Sequence, residues 1–399
     1  MTVTRQTPPA TTVDDRAAID RPVARNATAP GPAPQGRLLV FDTLRGLFVL
    51  LMAAGHLLRN LAPDAIAPPL LQFVQSALIG TVGFMTVSGM LAGYLLDRSP
   101  VRRTAIIRRY RQQAVKLLLI AHPLLLFALY GWKRAGGTPP DLVLRTWFIT
   151  DTLAVIFVAV VPFIARLRPR IRLLLGVVLL VAGKLLYVLR PGSSGFALLL
   201  VDALAGADWR RQHVLYEDYP LLSITGIFII GSWIGRQFLD AQQSGNLRSF
   251  VQSVRRLLPV PVLITTGCLV FWAALRQGPQ TSLRAFLYPD LYLSTYPVYL
   301  AAVLVLACAL LRQSSGKWES RVAVLGRNSL FTYVAQYFVM QMFPLLLGWR
   351  HHMTLPAAAA YYTGAIVFLH LLARTYEQLQ GVRPNPRPSR LPPSPSPRP

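Results

Sequence analysis

Long apolar segments separated by short polar loops dominate the chain from residue 38 to residue 374. A helix needs about 20 apolar residues to cross the hydrocarbon core of a bilayer, and most of these segments have that length. The pattern predicts an all-α, polytopic membrane helix bundle with about ten transmembrane helices. The predicted helices lie near residues 38–58, 70–96, 106–131, 144–165, 171–189, 219–239, 257–275, 289–311, 326–348 and 355–374.

The two ends of the chain differ from this apolar region. Residues 1–37 are rich in Pro, Ala and Thr, and residues 375–399 contain Pro-Arg-Pro and Ser-Pro repeats. Such segments cannot bury an apolar face, so both are predicted to be disordered tails of a single transmembrane domain, 38–374. The first apolar segment begins near Leu38, which predicts an uncleaved membrane anchor rather than a signal peptide.

Composition supports the membrane class and changes how the positive charge is interpreted. The chain of 399 residues is 53% hydrophobic and only 14% charged, with a net charge of +25. A soluble protein carries about a quarter charged residues. The basic residues cluster in alternate short loops, which is typical of membrane topology and not of a nucleic-acid-binding stripe. We therefore expect membrane lipid as a partner and no nucleic acid.

The loop charges also predict an orientation. One set of alternate loops (97–111, 166–172, 236–256 and 312–327) holds 18 basic and 3 acidic residues. The other set (59–69, 132–145, 190–218, 276–290 and 349–354) holds 10 basic and 7 acidic residues. The positive-inside rule places the first set, and with it both termini, in the cytoplasm of a multi-pass plasma-membrane protein. An odd number of helices, with one terminus outside, is the alternative.

The first apolar segment carries three residues that are costly to place in a membrane. Arg45 and His56 are eleven residues apart, so they share a helix face within roughly 20° and lie roughly 16 Å apart along the axis. Asp42, three residues before Arg45, can pair with it. The structural alternative is an ion pair at the headgroup level and an interfacial histidine. The shared face favours a functional site that reaches across the membrane.

The motifs around these residues resemble those of the acyltransferase-3 superfamily of integral membrane acyltransferases. The first is Asp42-x-x-Arg45-Gly with His56 in the same helix. The second is the segment 83–93, which resembles the family's aromatic-rich Ser-Gly motif and contains Ser88. The third is the arginine-rich stretch 108–123, which ends at a proline. The likeness covers most of residues 37–374 in layout.

Other features are similar to two related types within this superfamily. His122, Asp151 and the segment 326–330 resemble the periplasmic glucan succinyltransferase type. The segments 218–222 and 231–236 resemble the heparan-glucosaminide acetyltransferase type.

The resemblance implies transfer of an acetyl or succinyl group from cytoplasmic acyl-CoA to a hydroxyl of an envelope carbohydrate or lipid-linked sugar. A histidine suits the base that takes the hydroxyl's proton, which assigns this role to His56. Arg45 would hold the donor or polarise the thioester, with Asp42 positioning it. The cofactor-binding candidates for the phosphates of acyl-CoA are the cytoplasmic arginines Arg108, Arg109 and Arg111. Ordinary positive-inside charge also explains these three arginines.

The remaining polar residues of the predicted spans are supporting candidates. Ser88 lies between small residues and favours close helix packing over a nucleophile. His122 is either a packed residue at a helix kink or part of the site, and Asp151 is buried deeply enough to need a partner such as a histidine.

No metal site is expected, and no phosphate loop, Gly-x-Ser-x-Gly elbow or His-Glu-x-x-His motif is present in the sequence. The alternative functions are a transporter or flippase for an anionic or lipid-linked sugar and an inactive sensor with the same fold.

Overall fold

The computed structural model describes residues 39–62, 80–135, 140–189, 195–206, 219–257, 296–312 and 317–380, together with a few single positions between them. All of these belong to the unit Leu39–Pro399. The predicted tails lie almost entirely outside the described residues. Within the described part the chain is helical, and its one β-bridge joins Leu61 to Met353 without forming a strand.

The helices of the first half follow the predicted spans closely. They are α1 (Leu39–Leu58), α2 (Gly80–Arg98), α3 (Arg103–Lys116), α4 (His122–Ala135), α5 (Pro140–Leu144), α6 (Ile149–Val155), α7 (Val161–Ile164), α8 (Pro169–Leu189) and α9 (Gly195–Ala205). A 3₁₀ turn, Pro100–Arg102, precedes α3. The α9 helix lies in the connection that the sequence pattern assigned to a loop.

The second half contains seven further helices among the described residues. They are α10 (Leu221–Gln243), α11 (Leu247–Leu257), α12 (Tyr296–Arg312), α13 (Lys317–Arg327), α14 (Ser329–Tyr337), α15 (Phe343–Leu346) and α16 (Leu355–Leu379). The predicted span 326–348 corresponds to α14 and α15, and α16 continues past its predicted end at 374. The predicted span 257–275 lies mostly outside the described residues.

Five stretches of helix in the described part are long and apolar enough to cross a membrane. They are Leu39–Leu58, Pro100–Ala135, Pro169–Val188, Leu221–Gln243 and Leu355–Leu379. Ile149–Ile164 and Tyr296–Leu311 are shorter apolar helices. The all-helical membrane class is therefore confirmed, whereas the count of ten and the cytoplasmic termini stay predictions.

Burial separates central helices from peripheral ones. The apolar window of α10 is 72% buried and that of α16 only 17%. The peripheral helices expose large apolar side chains such as Leu119, Leu174 and Leu371. An exposed apolar belt of this kind is stable in lipid and unstable in water. Helix α10 is consequently central, and α16 lies at the periphery.

Glycines bring α2 and α10 into close contact. A Cβ atom on Gly89 would stand 2.1 Å from the carbonyl oxygen of Phe228, and one on Gly235 would stand 2.0 Å from that of Met90. Small residues at four-residue spacing are how membrane helices approach closely without a hydrophobic driving force between them. The segment Gly89–Gly93 therefore has a packing role.

Three helical stretches contain a π-helical turn that ends two residues before a proline. The turns are Leu117–Ala121, Ile156–Val160 and Phe338–Met342, followed by Pro123, Pro162 and Pro344. Proline lacks an N–H group, and its ring clashes with the carbonyl group four residues earlier. A helix that continues past proline therefore bends or widens locally. One of these turns directly precedes the candidate site residue His122.

Candidate active site

The Asp42–Gly46 motif of α1 meets α13 at a crossing of two glycines. A Cβ atom on Gly326 would stand 1.7 Å from the carbonyl oxygen of Asp42, and one on Gly46 would stand 2.2 Å from that of Val322. The two backbones touch there, which fixes the register between the helices. Asp42 is buried, with 2% of its surface exposed. Its pairing with Arg45 stays a prediction.

Arg45 reaches from this crossing to the beginning of α14. Its Nη2 donates a hydrogen bond to Oγ of Ser329. Its guanidinium carbon lies 5.4 Å from the centre of the Phe84 ring on α2. A hydrogen bond and a cation–π contact both stabilise a cation away from bulk water. These two contacts hold the guanidinium group of Arg45 in place, and the residue as a whole is only partly buried.

His56 lies on the same face of α1 and is 8% exposed. Its Nδ1 is 3.0 Å from Nε2 of Gln341, in the π-helical turn that follows α14. Its ring centre is 4.4 Å from the ring centre of Tyr337. These contacts fix the plane of the imidazole and direct Nδ1 toward Gln341. Nε2 is then the nitrogen left for chemistry.

The amide of Gln341 decides which nitrogen of a neutral His56 carries the proton. If Gln341 donates to Nδ1, the proton is on Nε2, which then acts as a donor. If the amide is turned so that its oxygen faces the ring, Nδ1–H donates and Nε2 can accept a proton. Oε1 of Gln341 has no hydrogen-bond partner among the described residues, so turning the amide breaks no bond of that oxygen. A base at Nε2 requires the second arrangement.

The turn that carries Gln341 is itself supported from the end of α1. Asn60, four residues after His56, donates from Nδ2 to the carbonyl oxygen of Met340 at 2.8 Å. In a regular helix that carbonyl would accept from position 344, where Pro344 has no N–H group. The segment that bears His56 therefore also provides a hydrogen-bond donor for the backbone carbonyl group next to Gln341.

His122, which is partly exposed, and the buried Asp151 form a second polar pair. Nδ1 of His122 is 2.9 Å from both carboxylate oxygens of Asp151. Oδ2 of Asp151 also accepts a hydrogen bond from the backbone N–H of Phe148 at 2.8 Å. Asp151 is 4% exposed, so these donors offset the cost of burying its charge. Among the described residues no hydrogen bond joins this pair to His56.

The other candidates are placed differently. Ser88 is buried in α2, and its Oγ has no hydrogen-bond partner within the described segments. Arg108, Arg109 and Arg111 are exposed on α3, before the apolar part of the same helical stretch begins at Leu117. No group of three or more His, Cys, Asp or Glu residues in the described part could hold a metal ion.

Comparison with known families supplies the identity that geometry alone does not. The acyltransferase domain model of the acyltransferase-3 family matches residues 38–374. The chain belongs to the acyltransferase-3 family. Comparison with curated proteins gives no match. Together with the apolar helices, family membership identifies the protein as a membrane acyltransferase.

In this acyltransferase Gln341, the partner of His56, was not among the residues expected from sequence. Ser329, the partner of Arg45, lies in the segment 326–330, which the sequence singles out only for its resemblance to a related type. Both come from one polar face of the helix that follows Asn328. The polar residues of that face are Ser329, Tyr333, Gln336, Tyr337 and Gln341. The available signal was that polar positions recur every three to five residues, from Ser329 to Tyr333, then to Gln336 or Tyr337, then to Gln341, because this spacing places them on one side of a helix.

Proposed function

We propose that this acyltransferase moves an acetyl or succinyl group from acyl-CoA, bound from the cytoplasmic side, to a hydroxyl of an envelope carbohydrate or lipid-linked sugar. The single observation that supports a site on α1 is that Arg45 and His56 are both hydrogen-bonded to one polar face of the neighbouring helix, through Ser329 and Gln341. Two groups held by the same pair of helices keep a fixed separation, as a two-substrate reaction requires.

In the proposed reaction, Nε2 of His56 takes the proton of the acceptor hydroxyl while the hydroxyl oxygen attacks the carbonyl carbon of the thioester. The carbon–sulfur bond breaks, CoA leaves as the thiolate, and the proton taken by His56 neutralises the sulfur. Positive charge at Arg45 stabilises the donor or the negative charge that develops on the thioester oxygen. The exposed arginines of α3 supply donors for the phosphates of CoA.

Purified protein, labelled acetyl-CoA and succinyl-CoA, and a panel of glycan and lipid-linked sugar acceptors test this proposal. CoA release that depends on the acceptor supports it. Substrate uptake into vesicles without CoA release would instead support a transporter.

The role of His56 has its own test. His56→Ala should lower the transfer rate by about 10²–10⁴-fold, which is typical of a lost general base. His122→Asn is the comparison, because asparagine retains an N–H near the position of Nδ1 and can still donate to Asp151. A larger loss at His122 than at His56, in variants that melt at the same temperature, would move the base to the second pair.

A further inference from the structure

Gln336 is a buried amide whose hydrogen-bonding capacity is unused within the described residues. The side chain is 0% exposed, and neither Nε2 nor Oε1 has a hydrogen-bond partner in the described part of the chain. An amide buried in this way costs free energy unless something pairs with it. Gln341, on the same helical stretch, uses one end of its amide on His56. Gln336 therefore has a vacant donor and a vacant acceptor on one side chain.

The position of Gln336 is fixed by its neighbours on the same helix. It follows Ser329 by seven residues, so the two side chains lie within roughly 20° of each other and roughly 10 Å apart along the axis. Ser329 contacts Arg45, and so this face of the helix is the one that meets α1. Gln341, farther along, contacts His56. Gln336 consequently lies between the level of Arg45 and the level of His56.

We propose that Gln336 binds the secondary amides of the pantetheine arm of acyl-CoA. This rests on the proposed function, in which Arg45 holds the donor and His56 acts where the thioester ends. A trans secondary amide presents its N–H and its C=O on opposite sides. The pantetheine arm carries two such amides between its phosphate and its sulfur, so an arm lying along this face lets Nε2 of Gln336 donate to the carbonyl oxygen of one amide while Oε1 accepts from the N–H of the other, which satisfies both atoms.

A sugar hydroxyl also donates and accepts, so the experiment varies the donor and the residue together. The donors are acetyl-CoA, with two amides, S-acetyl-N-acetylcysteamine, with one, and S-ethyl thioacetate, with none. The variants are Gln336→Met, which keeps the length of the side chain without its polar atoms, and Gln336→Asn, which keeps a shorter amide. Melting in detergent establishes that each is folded, and Gln336→Asn carries the test if Gln336→Met does not fold.

The expected result is a loss in kcat/KM of about tenfold or more with acetyl-CoA in Gln336→Met, because the donor's amides would be buried without a partner. The loss should be less than about twofold with S-ethyl thioacetate, which has no amide to lose. Gln336→Asn should give a smaller loss with the same dependence on the donor. An equal loss with all three donors would show a structural role, and a raised KM for the acceptor alone would assign the residue to the acceptor; either result overturns the proposal.

Binding of CoA itself, measured by calorimetry, separates this proposal from the proposed function. If the parent protein binds CoA more tightly than Gln336→Met does but transfers no acyl group, the amide site stands and the reaction is wrong. If the parent transfers acyl groups and both variants match it with acetyl-CoA, the reaction stands and the amide site is wrong. If the parent protein neither binds CoA nor transfers acyl groups, both are wrong.

Discussion

Adding one methyl group at Gly326 should push α13 away from α1, just before the point where α14 begins. In Gly326→Ala the new Cβ would stand 1.7 Å from the carbonyl oxygen of Asp42 and 2.8 Å from the backbone nitrogen of Gly46. Ordinary contacts begin at 3.4 Å, so the backbones must move apart by about 1.7 Å. A side-chain rotation cannot relieve this clash because the opposing atoms belong to backbone.

The energetic cost follows from this geometry. Overpacking of a tight contact costs about 1–3 kcal/mol, and this contact belongs at the upper end because it is backbone against backbone. Alanine also raises helix propensity by about 0.8–1 kcal/mol relative to glycine, which offsets part of the loss. Gly364→Ala in α16 is the matched control, since its Cβ would meet nothing within 4 Å. The difference in stability between the two variants therefore measures the cost of the clash at the crossing of α1 and α13.

The same displacement should also lower the rate of acyl transfer. Ser329 begins the helix immediately beyond the crossing, and its hydrogen bond to Arg45 would be stretched or broken. A displacement of about 1 Å can cost about 10²-fold in rate when it separates reacting groups.

Thermal melting in detergent and acyl transfer from acetyl-CoA measure the two effects. Gly326→Ala should melt below the parent and lose more than about tenfold in turnover, whereas Gly364→Ala should do neither. If the two variants behave alike in both assays, the close crossing does not hold the site and the reasoning fails.

Three further predictions test other parts of the protein. Arg45→Lys keeps the charge but loses the planar donor fork, so turnover should fall substantially; near-normal donor binding and turnover would show that charge alone suffices. Asp97 and Arg172, 6% and 2% exposed, form a bidentate ion pair, so Asp97→Asn should lower the stability measured by melting by about 3–5 kcal/mol. Asp240 is half-exposed, so Asp240→Asn should lower it by less than about 1 kcal/mol. Equal losses of stability in the two variants would refute the role of burial. A cysteine in place of Ser244 should be labelled only from the cytoplasmic side, and labelling from outside would overturn the orientation.

The sequence determined most of the long helices in the described part of the chain, whereas α5, α9, α11 and α13 lie in segments that it assigned to loops. Apolar runs mark the segments that can enter lipid. These segments must be helical there, because every backbone group in lipid has to form its hydrogen bond within the protein. Pro123 and Pro344 mark the widened turns, since proline has no N–H group wherever it stands. The sharing of one helix face by Arg45 and His56 also follows from their spacing alone.

Only the tertiary structure decided which side chains those two residues meet. Ser329 and Gln341 are 284 and 285 residues away along the chain from Arg45 and His56. Their contacts depend on which helices become neighbours, and helical periodicity carries no information about that choice. Glycine at 326 permits this particular neighbour, because the backbones can touch only where neither bears a Cβ atom. The packing, more than the residue types, brought these four separate polar groups into contact in two pairs.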